Sequence, residues 1–90
     1  MTALQGSDPE GVRPQPRVVL YHADGCQLCE RARAVLAESG TAFEEVDITG
    51  NTELEAQYRE WLPVVEIDGE RAFVFFVDPE VFRRKVGAQS

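Results

Sequence analysis

Cys26 and Cys29 are the two cysteines of this chain, set in a Cys-x-x-Cys spacing. Before them, Arg17-Val18-Val19-Leu20-Tyr21 reads as a short buried strand. After them, Leu28, Ala32, Val35 and Leu36 recur at helical spacing up to Ser39-Gly40. The pair therefore falls at a helix N-terminus, where unpaired backbone N–H groups and the helix dipole stabilise a thiolate. A thiolate with a second thiol one helical turn away can attack a disulfide and then be released from it, which is thiol–disulfide exchange. Zinc fits less well, because it takes four ligands and His22 is the one histidine available besides the cysteines. Two buried structural thiols remain the bland alternative.

The elements that must hold this pair can be read from the rest of the chain. Ninety residues, 43% of them hydrophobic, make one small domain with an ordinary apolar core. Residues 1–16 hold Gly6, Pro9, Gly11, Pro14 and Pro16 with few apolar side chains and are expected to be a disordered tail. The domain is expected in residues 17–90, with periodic patterning over 17–86. A formal net charge of −7 argues against a nucleic-acid partner, since phosphate binding needs clustered Lys and Arg. No apolar run reaches membrane-spanning length and no signal-type segment opens the chain, so the expected setting is cytoplasmic, without a membrane partner. In a reducing compartment a lone Cys-x-x-Cys is redox-active or metal-binding more often than structural.

After Gly40, residues 42–48 predict a second strand with Phe43, Val46 and Ile48 as its apolar content. Thr52-Glu53-Leu54-Glu55 has the form of a capping box, which starts a helix with Leu54, Tyr58 and Trp61 on one face. Pro63 breaks the chain. Val64-Val65-Glu66-Ile67 then predicts a strand, Asp68-Gly69 a two-residue turn, and 71–77 the returning strand, with side chains on both faces of 72–77 buried or, as the alternative, part of the run a partner surface at the sheet edge. Asp78 is expected to cap a third helix that has Pro79 at its first position, Val81, Phe82 and Val86 on its buried face, and Gly87 after it. The order is β-α-β-α-β-β-α. Its two βα units imply parallel strands and its hairpin an antiparallel pair, giving an α/β fold: a four-stranded mixed sheet with helices on both faces.

This order, with Cys-x-x-Cys after the first strand and a proline opening the third, resembles the thioredoxin fold. Within that fold the chain is similar to the glutaredoxins, specifically the small bacterial glutaredoxin-like proteins with a Cys-x-Leu-Cys motif. The pieces that carry the likeness are Leu20-Tyr21, Gly25-Cys26-Gln27-Leu28-Cys29-Glu30, Val46-Asp47-Ile48, Leu62-Pro63-Val64-Val65 and Ile67-Asp68-Gly69. The resemblance implies a thiol–disulfide oxidoreductase in which Cys26 attacks and Cys29 resolves. It also implies that Pro63 is a cis-proline facing the dithiol. Leu62 would offer backbone groups to an extended substrate, Trp61 an apolar wall, and Asp78 the acid that remains of a glutathione grip.

Three departures from the pattern concern glutathione. Ala23 stands where glutaredoxins carry Lys or Arg, Trp61 stands where they have Thr, and Phe73-Val74 replaces a Gly-Gly pair. Weak glutathione dependence is therefore expected, with Arg59 as a substitute cation. No cofactor is required, and glutathione is possible as reductant. The expected partners are a disulfide-containing protein or small molecule and a reductant, glutathione or a reductase, with the protein itself a monomer. The alternative is a non-enzymatic module, either redox-responsive or holding an iron–sulfur cluster or metal through the pair. His22 is read as a strand-end residue, and Asp24 as a partner for N–H groups at the helix start.

Overall fold

The structure is a computed structural model that describes residues 16–88. Residues 1–15, which hold nearly all of the expected tail, and residues 89–90 lie outside the described residues. The elements are β1 (Val18–His22), α1 (Gln27–Ser39), β2 (Glu44–Asp47), α2 (Thr52–Tyr58) with a 3-10 turn over Arg59–Trp61, β3 (Val64–Ile67), β4 (Glu70–Val74) and α3 (Pro79–Ala88). The four strands form one mixed sheet in the order β2-β1-β3-β4. Among the described residues no helix is long and apolar enough to cross a membrane.

Alternation along the strands sends side chains to two faces, and each face carries its own core. On one face Val18, Leu20, Val65 and Ile67 pack with Ala32 and Leu36 of α1, Val77, and Phe82 of α3. On the other, Val64 packs with Ile48 and Tyr58, and Tyr21, Leu54 and Leu62 close around them. Helices thus cover both faces, as the pattern implied. The second face also contains a polar network absent from the sequence reading. Tyr21 and Tyr58 stack with ring centroids 4.1 Å apart, and both hydroxyls donate to Glu66, at 3.3 Å and 2.8 Å. Burial, followed by these bonds, raises the Tyr58 phenol well above its ordinary value.

The hairpin turn is as expected: Asp68 and Gly69 both have positive φ, 52° and 83°. Asp68 also exchanges bonds with Arg17, accepting from Arg17 N–H on Oδ1 at 2.9 Å and donating its own N–H to the Arg17 carbonyl at 2.8 Å.

Several expectations need correction. β3 is not parallel to its neighbour: β1 and β2 are parallel, whereas β1 and β3 are antiparallel. Seven residues of α2 rise only about 10 Å, and the chain re-enters the sheet at Val64, opposite Tyr21 near the far end of β1. The N-cap of α2 is Asn51, whose side chain accepts from Leu54 N–H at 3.0 Å, rather than Thr52. Glu55 reaches back past the cap to Gly50 N–H at 2.8 Å, so its side chain ties down the residue before the N-cap instead of closing a capping box. Because α2 tightens into the 3-10 turn after Tyr58, Trp61 leaves the buried face.

β4 ends at Val74 instead of continuing to Val77. Its register with β3 shifts between Val65 and Glu66, so that Val65 faces Phe73 while Glu66 faces Arg71. Ala72 is the extra residue of this bulge, and it packs with Phe73 against the same core. Helix α3 runs on through Gly87. Leu28, in the first turn of α1, is exposed despite its helical spacing.

Candidate functional site

The strand register determines which loops meet. His22 pairs with Asp47, Tyr21 with Val64, and Val64 with Val74. The end of β1, the start of β3 and the end of β4 therefore lie at one end of the sheet. Three segments emerge there: Ala23 to Cys29, Trp61 to Pro63, and Phe75 to Phe76.

The first segment is tied down before it turns. Ile48 donates its N–H to the His22 carbonyl at 2.8 Å, and Asp24 N–H donates to Thr49 Oγ1 at 3.0 Å. Gly25 then takes φ 71°, a left-handed conformation open to glycine at little cost. Cys26 follows as the N-cap of α1, in extended conformation, and its Sγ accepts from Cys29 N–H at 3.1 Å. The cap is thus the cysteine sulfur, a correction to the expectation that Asp24 bonds the helix start.

Cys26 and Cys29 are joined as a disulfide with Cα atoms 5.2 Å apart. Their exposures differ: Cys26 is half-buried, and Cys29 is 1% exposed. A half-exposed sulfur that already accepts a backbone N–H at a helix N-terminus is placed to carry negative charge once reduced. The inner sulfur is shielded from solvent and within bonding reach of the outer one. His22 takes no part in this arrangement, because its Nε2 lies 3.7 Å from Glu45 Oε1, over β2. Glu45 and Glu30 also engage Arg33, at 2.9 Å and 2.6 Å.

The Leu62–Pro63 bond is cis, as expected. Pro63 is fully buried and Leu62 packs into the second core. Phe75 N–H bridges the carbonyls on either side of Leu62, Pro63 O at 2.9 Å and Trp61 O at 3.3 Å. This joins the end of β4 to the proline segment. Asp78 is the cap of α3: its Oδ1 accepts from Glu80 N–H and Val81 N–H at 2.9 Å and 3.2 Å. Among the described residues none of its hydrogen bonds reaches the dithiol loop. Arg59 faces Glu55 at 3.8 Å.

Phe75 and Phe76 are the residues that sequence reasoning misplaced. Phe75 has φ 74°, and Phe76 N–H donates to the Val74 carbonyl at 2.8 Å, which closes a γ-turn of the positive-φ type around Phe75. A non-glycine residue in such a conformation costs about 1–3 kcal/mol and persists where its surroundings impose it. The expectation that both rings fill the core is therefore wrong: Phe75 is 46% exposed and Phe76 65%. The ring of Phe75 lies 6.0 Å from that of Trp61. Phe73 and Val74, which stand in the sequence where glutaredoxins have Gly-Gly, pack against the two cores, and the exposed aromatic bulk is that of Phe75 and Phe76.

Comparison with known proteins agrees with this geometry. Residues 17–87 match the Glutaredoxin-like domain (DUF836) family. An uncharacterized protein of Mycobacterium tuberculosis, Rv0508, is 35% identical over 81 residues, covering 80% of this chain and 84% of its own. The solved structure of protein XcR50 from X. campestris superposes with a TM-score of 0.71 at 30% identity, over 81% of this chain and 99% of that one. The glutaredoxin-like NrdH-redoxin of Escherichia coli, a protein with a thioredoxin-like activity profile, gives a TM-score of 0.59 at 25% identity, over 76% and 92% of the two chains.

Proposed function

The chain belongs to the Glutaredoxin-like domain (DUF836) family, and on that premise we propose that it is a thiol–disulfide oxidoreductase of the cytoplasm, working as a monomer. The observation that carries this reading is the asymmetry of the pair: Cys26 half-exposed at the N-cap of α1, and Cys29 buried and bonded to it.

In the reduced protein the Cys26 thiolate attacks one sulfur of a substrate disulfide. A Cys26–substrate mixed disulfide forms, and the first substrate sulfur leaves as a thiolate that takes up a proton. Cys29 then loses its proton and attacks Cys26 Sγ, which releases the second substrate thiol. Two electrons have passed from the dithiol to the substrate, and Cys26–Cys29 is left as the disulfide. An external thiol reductant, glutathione or a reductase, returns it to the dithiol, and no resident cofactor is needed. Leu62 and Pro63 shape the groove beside the pair, and Trp61 forms its apolar wall. Asp78 offers Oδ2, which its cap bonds leave unused, to an ammonium group of substrate.

Weak dependence on glutathione belongs to this proposal, and the E. coli NrdH-redoxin gives an example of a glutaredoxin-like protein with a thioredoxin-like activity profile. The aromatic side chains beside the site support the same reading, because the two carboxylates and one ammonium of glutathione require charged partners to offset their desolvation.

The test is reduction of hydroxyethyl disulfide by the dithiothreitol-reduced protein. The wild type turns over, Cys26→Ser is inactive, and Cys29→Ser accumulates a mixed disulfide visible by mass spectrometry. Equal activity in wild type and Cys26→Ser would overturn the assignment. Visible absorbance bands in the purified protein would favour a cluster-holding module instead.

A further inference from the structure

The described residues expose four large apolar side chains: Leu28 at 45%, Trp61 at 42%, Phe75 at 46% and Phe76 at 65%. All four belong to the three segments that the register gathers around Cys26. Singly exposed apolar residues need no explanation, but four gathered at one end of a small domain mark a contact surface. The most telling of them is Phe75. Glycine would make the same γ-turn without strain, and the phenylalanine ring, still 46% exposed, gains only part of what full burial would give in return. What the ring does gain is a fixed position. The backbone bonds to Trp61 O and Pro63 O hold it, and it leans on the Trp61 ring beside the cis-proline.

The charges around this shelf have a sign. Arg33 is engaged by Glu30 and Glu45, and Arg59 faces Glu55. Among the described residues Asp24, Asp47 and Glu60 have no cationic partner within salt-bridge distance; Arg31 in α1 has no salt bridge either, while Arg71 lies over the Tyr58 ring and Arg83, Arg84 and Lys85 belong to α3. The whole chain carries −7. An occupant that complements this surface is apolar at its centre and basic at its flanks, and an anionic small thiol is the wrong match.

The geometry points to a substrate class: a disulfide in an extended segment of a partner protein, with an aromatic or branched aliphatic side chain beside the cysteine and Lys or Arg flanking it. Phe75 is the residue that selects it. This inference rests on the redox reading above and adds what the dithiol acts upon. The partner's apolar side chain lies against Phe75 and Trp61 while its backbone passes Leu62, an arrangement that places the disulfide over Cys26.

Trp61 is the chain's single tryptophan and reports occupancy directly. The test compares two synthetic peptide disulfides, Lys-Phe-Cys-Phe-Lys joined to its own copy and the same peptide with Ser in place of Phe, alongside glutathione disulfide and hydroxyethyl disulfide. Dithiothreitol serves as reductant. Wild type is expected to reduce the Phe peptide at least about tenfold faster, in kcat/KM, than the Ser peptide or glutathione disulfide, on the scale by which an apolar pocket discriminates. Trp61 emission of the oxidised protein should change saturably with the Phe peptide alone. In Phe75→Gly, which relieves the strained φ, and in Phe76→Ser, the ratio between the two peptides should fall toward unity. Equal rates for the two peptides in wild type, a ratio unchanged in Phe75→Gly, or glutathione disulfide as the best substrate would each overturn the inference while hydroxyethyl disulfide reduction stands. Failure to reduce any of the four disulfides would remove the redox reading itself, and this inference with it.

Discussion

Phe73 and Phe75 stand two positions apart at the end of one hairpin, and uninterrupted strand alternation would put both on the same face. Phe73 packs against the core, with its ring 6.3 Å from that of Phe82. Phe75 stands half in solvent against Trp61. The γ-turn at Phe75 separates them, and with them two kinds of apolar side chain. Those on the core side stabilise the fold by leaving water. Those at the dithiol end keep their contact with water, so their contribution is to whatever docks there. In a domain this small, where each buried side chain is a sizeable part of the net stability, leaving four large ones part-exposed at one end forgoes stabilisation and fits the proposed contact surface.

The contrast can be broken by mutation, and the largest effect belongs to the core. Phe82→Ala removes a side chain with no exposure at the junction of α1, α3 and the sheet. It should cost about 3–5 kcal/mol, read as a large fall in the urea midpoint.

A smaller effect is expected from the polar network on the other face. Tyr58→Phe deletes a hydroxyl that donates to Glu66 at 2.8 Å and should cost about 1–2 kcal/mol. Its pH dependence follows from linkage. The folded-state phenol is raised above its unfolded value near 10, chiefly by burial. Tyr58 therefore contributes stability that is fully present below about pH 10 and is lost as pH rises toward the folded value. Urea unfolding from pH 9 to 11 should show this loss in wild type and a flatter profile in Tyr58→Phe.

The smallest effect sharpens the comparison most. Phe75→Gly gains relief from the positive φ and loses backbone entropy together with the contacts of a half-buried ring, so its stability should stay within about 1 kcal/mol of wild type. A drop approaching that of Phe82→Ala would mean that Phe75 is a core residue after all.

Much of this was legible in the sequence because the relevant residues signal their own conformations. Gly40 closes α1 in the left-handed region, Asp68-Gly69 takes the two positive φ values of a tight hairpin, and Asp78-Pro79 opens α3. The cysteine pair was placed at a helix start by the same logic. The misreadings arose where no such signal exists. A positive φ at phenylalanine has no composition to announce it, so 71–77 read as one continuous strand. Asn51 and Thr52 are both able caps, and which one serves depends on where the chain enters after Gly50. The direction of β3 is set by the length of α2 and its point of return, neither of which appears in the periodicity of Val64 to Ile67. Asp78, expected among the substrate contacts, also caps α3 through Oδ1, the role that the Asp78-Pro79 pair announces.

The central claim is that two cysteines of one motif have different chemical roles because one caps α1 and the other lies a turn inside it. The direct measurement is the rate of iodoacetamide alkylation of each thiol in the freshly reduced protein across pH 5–9, resolved by peptide mass spectrometry. Cys26 should be modified first, with a rate that levels off below the ordinary thiol value near 8.5, while Cys29 stays protected. Preferential alkylation of Cys29 at neutral pH, or identical profiles for the two, would contradict the account.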